Sequence, residues 1–131
     1  MTGVDDLLTS ARAQLDRVEP ERARRLQAEG GLIVDIRPHA NRLAEGEIPG
    51  SVIVERIHLE WRLDPAGEWR LPEVRAELPV IVVCNEGYAS SLAAADLQRL
   101  GLSRATDLVG GYRAWRAAGL PVRPGGSPAV P

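Results

Sequence analysis

The sequence predicts an α/β domain of three layers, in which a mostly parallel central sheet is flanked by helices on both faces. Two observations predict this fold class. Short apolar runs rich in β-branched residues alternate along the chain with stretches whose apolar residues recur at helical spacing, as in parallel strands joined by helices. The chain has 131 residues, of which 44% are hydrophobic and 26% charged, so its length and composition suit one ordinary globular domain.

The chain begins with two predicted helices. Apolar residues at helical spacing predict the first over residues 5–18. Pro20 begins the second, because a proline lacks only an N–H that is not needed at the first helical position, and Gly30 ends it. We expect residues 1–16 to be a helical extension of a domain that spans residues 17–122.

Three of the four predicted strands lie in the middle of the chain. Residues 32–36, 52–54 and 80–83 are short, apolar and rich in valine and isoleucine, as buried strands are. Residues 37–50 are polar and turn-rich, and we predict a loop there. Residues 57–63 have apolar positions that suit one or two helical turns.

The last third of the chain continues the alternation. A helix is predicted over residues 90–100, a fourth strand over 105–109 and a short helix over 112–118. Residues 123–131 contain three prolines and two glycines, which predicts a flexible tail. The three tryptophans are expected to pack in the interior: Trp61, Trp69 and Trp115.

Charge and cysteine content exclude several classes of protein. The formal net charge is -2, which gives no reason to expect a nucleic acid or an anionic membrane as partner. The one cysteine excludes an intramolecular disulfide and suits a reducing compartment. Asp5 and Asp6 stand where a signal peptide would carry positive charge, so we expect a cytoplasmic protein.

Cys84 lies between the most regular predicted strand and the helix that follows a short loop. The N–H groups of such a loop and the positive end of the helix favour a thiolate, which is the nucleophilic form of cysteine. Gly87 allows the loop a positive φ. A buried structural cysteine at the end of a strand is the alternative, and position alone leaves both open.

Four segments of the chain, in the same order and at similar spacing, resemble the rhodanese-like family. They are the Val-Asp-Ile-Arg-Pro of residues 34–38, the Glu-Gly-Glu-Ile-Pro-Gly-Ser of residues 45–51, the Cys-Asn-Glu-Gly-Tyr-Ala-Ser loop with its helix, and the Gly-Gly-Tyr-Arg-Ala-Trp that follows the last strand. The resemblance covers about residues 17–122 and implies the fold of that family.

The resemblance also implies sulfur transfer through a cysteine persulfide. Cys84 would be the nucleophile and would carry sulfur from a small donor, thiosulfate or a persulfide, to a thiophilic or thiol acceptor, which could be a protein. Asp35 and Arg37 would support the site, although a structural ion pair is the simpler interpretation. No metal or organic cofactor is implied. Backbone amides of the loop would form the cradle: Asn85, Glu86, Gly87, Tyr88, Ala89 and Ser90.

Three departures from the family pattern bear on the donor. Ala89 replaces the arginine of the family's loop, Glu86 adds a carboxylate to the loop, and Glu47 stands where the family usually has histidine. A carboxylate beside the site repels an anion such as thiosulfate. Arg37 and Arg113 are the candidates to offset it.

Two other functions fit parts of the sequence. A rhodanese-like binding or regulatory module would keep the fold and tolerate Glu86 and Ala89. A phosphatase or arsenate reductase can share the loop architecture, but it needs an arginine six residues after the cysteine to bind an oxyanion, and Ser90 occupies that position. Ser90 itself could hydrogen-bond the sulfur or cap its helix.

Overall fold

Four parallel strands form the central sheet of the computed structural model, which describes residues 3–131. The strands are β1 (Leu32–Asp35), β2 (Val52–Ile53), β3 (Val80–Val83) and β4 (Ala105–Asp107), and their order across the sheet is β2-β1-β3-β4. In the centre, Val34 of β1 lies opposite Val52 of β2 and Val82 of β3. The sheet confirms the predicted α/β class.

Helices cover both faces of the sheet. They are α1 (Val4–Ala13), α2 (Pro20–Ala28), α3 (His39–Glu45), α4 (Leu59–Leu63), α5 (Ala89–Arg99) and α6 (Gly111–Ala117), and a 3-10 turn over Arg56–His58 leads into α4. In the described part of the chain, no helix is long and apolar enough to cross a membrane.

Apolar side chains lie on both faces of the sheet, because each face has its own core. Val34, Val80 and Val82 face α4 and α5, while Ile33, Ile81 and Val83 face α2 and α6. These side chains are buried, and burying an aliphatic side chain stabilises a fold by about 1.5–3 kcal/mol. The two cores make the three predicted layers.

The structure corrects three of the predictions for individual elements. Residues 39–45 form α3, where a loop was predicted, and the first helix ends at Ala13 instead of residue 18. Trp115 is buried in the core as predicted, but Trp61 and Trp69 are exposed. Trp61 lies on the one-turn helix α4, which buries only its two leucines, so this short helix leaves the indole at the surface.

Both ends of the described chain contact the domain. Helix α1 lies against α5 with Ala11 buried. In the C-terminal tail, the backbone of Arg123 exchanges two hydrogen bonds with Glu47, at 2.8 and 2.9 Å, and the N–H of Val130 donates to the carbonyl of Ile53 at 2.8 Å. The composition of the tail did not predict these contacts. The division into extension, domain and tail stays a prediction.

Candidate active site

Cys84 follows β3 directly, at the carboxyl edge of the sheet, where α/β proteins place their ligands. Its side chain is partly buried and lines a cavity of about 280 Å³. The loop from Cys84 to Tyr88 leads from this edge into α5. The cysteine predicted to be the nucleophile therefore opens onto a concave surface.

Groups of the loop converge on the sulfur of Cys84. The N–H groups of Gly87 and Ser90 donate to Sγ at 3.2 and 3.4 Å, and the thiol lies 3.2 Å from Oγ of Ser90, to which it donates. The remaining four predicted amides donate to no protein acceptor within residues 3–131: Asn85, Glu86, Tyr88 and Ala89.

Two glycines let the loop and the start of α6 come into backbone contact. Gly87 has φ +86°, and a Cβ there would lie 2.8 Å from the nitrogen of Gly110. Gly111 has φ +64°, and a Cβ there would lie 2.5 Å from the carbonyl oxygen of Cys84. Any larger residue at these positions would be strained and would move the backbone that holds the cysteine.

Asp35 and Arg37 form a buried ion pair at the end of β1. Nη2 of Arg37 lies 2.8 Å from Oδ2 of Asp35 and donates also to the carbonyl of Gly46 at 2.7 Å. The guanidinium stacks 3.9 Å from the centre of the Tyr112 ring. Arg37 lines the same cavity as Cys84. The geometry is that of a structural pair, of which Arg37 forms part of the cavity wall.

The exposed side of the cavity has no arginine from the loop. Ala89 is exposed at the first position of α5 and lines the cavity. Arg56, from the 3-10 turn, also lines it, but its guanidinium is paired with Glu60 at 2.9 Å and with Asp96 at 3.3 Å. The positive charge of Arg56 is therefore already shared between two carboxylates.

Glu86 is exposed at the rim of the cavity, where it contacts one of the two arginines considered for it. Nη1 of Arg113 lies 3.3 Å from Oε2 of Glu86, whereas Arg37 is committed to Asp35. Arg113 also binds Glu45 at 3.0 Å, and this hydrogen bond lowers the pKa of that carboxyl. Arg113 offsets only part of the negative charge at the rim.

Glu47 takes no part in the cavity of Cys84. It is fully buried beside Arg42, at 2.8 Å, and its Oε2 accepts hydrogen bonds from the N–H groups of Gly126 and Ser127 at 3.2 Å. Burial raises the pKa of Glu47, but the hydrogen bonds from Ser127 and Arg42 outweigh it, so the pKa lies below its usual value. The carboxylate holds the C-terminal tail.

Sequence reasoning missed a group of polar residues behind the loop. Asp107, at the end of β4, is fully buried and accepts hydrogen bonds from Ser90 and Ser91 at 2.7 and 2.8 Å. Arg17 binds the same carboxylate, and Arg12 binds Ser91 at 3.1 Å. An aspartate in a short predicted strand was the one signal of this group in the sequence.

Comparison with known proteins gives the family. The model of the rhodanese-like domain matches residues 19–118. The chain is 35% identical over 104 residues to the thiosulfate sulfurtransferase GlpE of Pseudomonas fluorescens, covering 79% of this chain and 87% of that protein. The enzyme of the same name from Stutzerimonas stutzeri is 37% identical over 105 residues, covering 76% and 84%.

Two solved structures are similar to this chain along most of its length. A Rhodopseudomonas palustris protein of unknown function, described as a possible tyrosine phosphatase, superposes with a TM-score of 0.83 at 31% identity and covers 94% of this chain and 96% of its own. A homodimeric polysulfide-sulfur transferase of Wolinella succinogenes superposes with a TM-score of 0.70 at 25% identity, covering 88% and 82%. Fold, motifs and sequence relatives together show that the chain belongs to the rhodanese-like family.

Proposed function

We propose that the protein is a rhodanese-type sulfurtransferase that carries a sulfane sulfur on Cys84. The observation that supports this most is the loop of backbone N–H groups around Sγ, two of which donate to the sulfur while four are free. Such a loop stabilises a thiolate and then the negative outer sulfur of a persulfide. The named relatives are thiosulfate sulfurtransferases.

In the first step, the thiolate of Cys84 attacks the outer sulfur of the donor. A new S–S bond forms to Sγ, and the S–S bond of the donor breaks. With thiosulfate, sulfite leaves with the electron pair of that bond; with a persulfide donor, a thiolate leaves. The free amides of the loop, those of Asn85, Glu86, Tyr88 and Ala89, are the groups available to bind the outer sulfur.

In the second step, a thiolate or another thiophilic acceptor attacks the outer sulfur. The S–S bond to Cys84 breaks, and its electron pair returns to Sγ, which restores the thiolate. No metal or organic cofactor enters either step. The partners are a small sulfur donor and a thiol or thiophilic acceptor, which can be a protein because the cavity opens to the surface beside the exposed Tyr88.

The charges at the rim bear on the choice of donor. Glu86 is exposed beside the cavity, and Ala89 provides no guanidinium for an anion. A donor with less negative charge than thiosulfate is repelled less. We therefore expect this protein to favour an organic persulfide over thiosulfate more strongly than a protein whose loop carries the arginine would.

The alternatives make different predictions about Cys84. A binding or regulatory module of the same fold would form no persulfide. A phosphatase is disfavoured because the position that must supply an arginine is Ser90, whose hydroxyl is bound to Asp107.

The test is mass spectrometry of the protein after exposure to thiosulfate and, separately, to an organic persulfide. We expect one added sulfur on Cys84, lost again on addition of cyanide or a thiol. Cys84→Ser is the matched control, since the chain has no other cysteine, and it should gain no sulfur. Absence of the adduct with every donor would favour the binding module. Sulfur transfer by the Cys84→Ser variant would exclude the mechanism.

A further inference from the structure

The carbonyl group of Gly87, in the middle of the cysteine loop, is held by the N-terminal segment. Its oxygen accepts hydrogen bonds from Nη2 of Arg12 at 2.7 Å and from Nη2 of Arg17 at 3.0 Å. A trans peptide is planar, so its carbonyl and the next N–H point in opposite directions. Fixing the carbonyl of Gly87 towards the two arginines therefore directs the N–H of Tyr88 away from them.

Without these anchors the peptide between Gly87 and Tyr88 could rotate. Its carbonyl oxygen would then replace an N–H donor in the loop, and a partial negative charge would face an incoming anion. Such a rotation changes ψ of Gly87, and a glycine adopts a wide range of ψ because it has no Cβ. The two guanidiniums oppose it with charge-assisted hydrogen bonds, which are stronger than neutral ones.

A second chain of contacts joins Arg17 to the reactive sulfur. Nε of Arg17 lies 2.8 Å from Oδ1 of Asp107, and Nη2 lies 3.2 Å from Oδ2. Oδ2 also accepts a hydrogen bond from the hydroxyl of Ser90 at 2.7 Å, and the oxygen of that hydroxyl lies 3.2 Å from Sγ of Cys84. One serine therefore separates a fully buried carboxylate from the nucleophile.

The hydroxyl group of Ser90 has a single proton, which decides which of its two neighbours receives a hydrogen bond from it. Ser90 donates that proton to Asp107, so its oxygen can only accept, which suits the thiol of Cys84 and not the thiolate. The negative charge of Asp107 also opposes a second negative charge on the sulfur. The two bonds from Arg17 compensate the charge of Asp107 and so reduce its repulsion of a negative charge on the sulfur.

We propose that Arg12, Arg17 and Asp107 are positioning residues of the active site, and that the N-terminal segment thereby supplies part of the machinery. Arg12 and Arg17 precede residues 19–118, which match the family. In this role they hold the loop amides in place and balance the buried carboxylate behind Ser90. The inference rests on the proposed function for its purpose, but the alkylation measurements in its test do not require sulfur transfer.

The experiment measures the rate of alkylation of Cys84 by iodoacetamide as a function of pH. Arg17→Gln removes the positive charge, so alkylation at pH 7 should be about tenfold slower and its midpoint should move to higher pH. Asp107→Asn removes the negative charge, so the midpoint should move to lower pH. A merely structural role would not move the two variants in opposite directions.

The remaining charged or titratable groups around the sulfur stay unchanged in these variants: Asp35, Arg37, Arg56, Glu86, Tyr88 and Arg113. Arg22→Gln is the matched control, because Arg22 lies in the same part of the chain and pairs only at the surface with Asp16, at 2.9 Å. Arg22→Gln should show the same dependence of the alkylation rate on pH as the wild type.

Two further variants keep the inference testable if Arg17→Gln or Asp107→Asn fails to fold. Arg17→Lys keeps the positive charge beside Asp107 but not the two-point hydrogen bonding, so its alkylation midpoint should move by less than about one pH unit, the shift that a tenfold slower reaction implies for Arg17→Gln. Arg12→Gln leaves Arg17 on Asp107, so it should raise the KM for the donor several-fold while the alkylation midpoint stays in place.

Midpoints that move in the same direction in Arg17→Gln and Asp107→Asn, or that do not move in folded variants, would overturn the inference. So would an unchanged KM in Arg12→Gln. If the midpoints move as expected but Cys84 accepts no sulfur from any donor, the positioning role stands and the proposed function fails.

Discussion

Replacing Glu47 by glutamine would remove the buried charge that holds the C-terminal tail on the domain. Glu47 is fully buried and Arg42 is almost so. The carboxylate accepts hydrogen bonds from Arg42, Gly126 and Ser127 through Oε2, while Arg123 lies 3.2 Å from Oε1. Glutamine has the same size, but its amide nitrogen is a hydrogen-bond donor. That nitrogen would face an arginine, whose guanidinium can only donate, so neither group would have an acceptor there.

The expected loss of stability follows from the burial of the ion pair between Glu47 and Arg42. Neutralising one partner of a buried ion pair costs about 3–5 kcal/mol, because the other charge stays uncompensated. The tail can move away and admit water to Arg42, so we expect the lower end, about 3 kcal/mol. With a urea dependence of about 2 kcal/mol per molar, the unfolding midpoint would fall by about 1.5 M.

The pH dependence gives an independent check on the charge. The pKa of Glu47 in the folded protein lies below the ordinary value of 4.5, because hydrogen bonds from Ser127 and Arg42 outweigh the effect of burial, which raises it. A carboxyl with a lowered pKa stabilises the fold above its unfolded pKa, and this stability is lost as the pH falls through the folded pKa. The difference in the free energy of unfolding between the wild type and Glu47→Gln should therefore have its full size at pH 7 and shrink below about pH 4.5.

The assay is urea unfolding followed by tryptophan fluorescence, since Trp115 is buried in the core. Glu45→Gln is the matched control: it is the same change two residues earlier, and its partner Arg113 lies at the surface, where ion pairs contribute little. Equal losses in both variants would refute the reasoning, as would a loss from Glu47→Gln that stays the same in acid.

Three substitutions at the site have defined outcomes. Glu86→Gln should raise thiosulfate turnover by no more than about threefold and move the alkylation midpoint of Cys84 to lower pH, because Arg113 already offsets part of the charge; an unchanged profile would contradict this. Ala89→Arg should improve kcat/KM for thiosulfate about tenfold, less so for an uncharged persulfide and less at high salt; equal gains on both donors would indicate a change of loop shape. Gly111→Ala should destabilise the fold by about 1–3 kcal/mol in urea unfolding, and a neutral effect would mean that the loop can shift freely.

The strands β1, β2 and β3 were predictable because each forms owing to its own run of apolar residues, which can be recognised without knowing the rest of the fold. Val80–Val83 is apolar at every position, and a strand buried on both faces needs such a run. Helix α3 was not predictable in the same way. Arg42 is its one buried residue, and it is buried because Glu47 and the tail surround its guanidinium. A polar stretch with a distant partner looks like a loop when only its own residues are considered.

The same distinction separates the parts of the site that the sequence predicted from those it did not. Cys84 and the loop up to Ser90 are contiguous, so strand, glycine and helix could be recognised together. Asp107 contacts Ser90 across 17 residues, and Arg17 contacts Asp107 across 90. The parallel sheet brings these residues together only once its strand order is known.

The two outer strands of the sheet are each covered by one end of the chain. Beyond β4, the N–H of Val18 donates to the carbonyl of Asp107 at 3.1 Å and its carbonyl accepts from Val109 at 2.8 Å; beyond β2, the N–H of Val130 donates to Ile53. A free strand edge recruits strands from other molecules and promotes aggregation. Removing the residues up to and including Val18, or those after Ser127, would therefore expose an edge, and the shortened protein should self-associate at concentrations at which the untrimmed protein stays monodisperse.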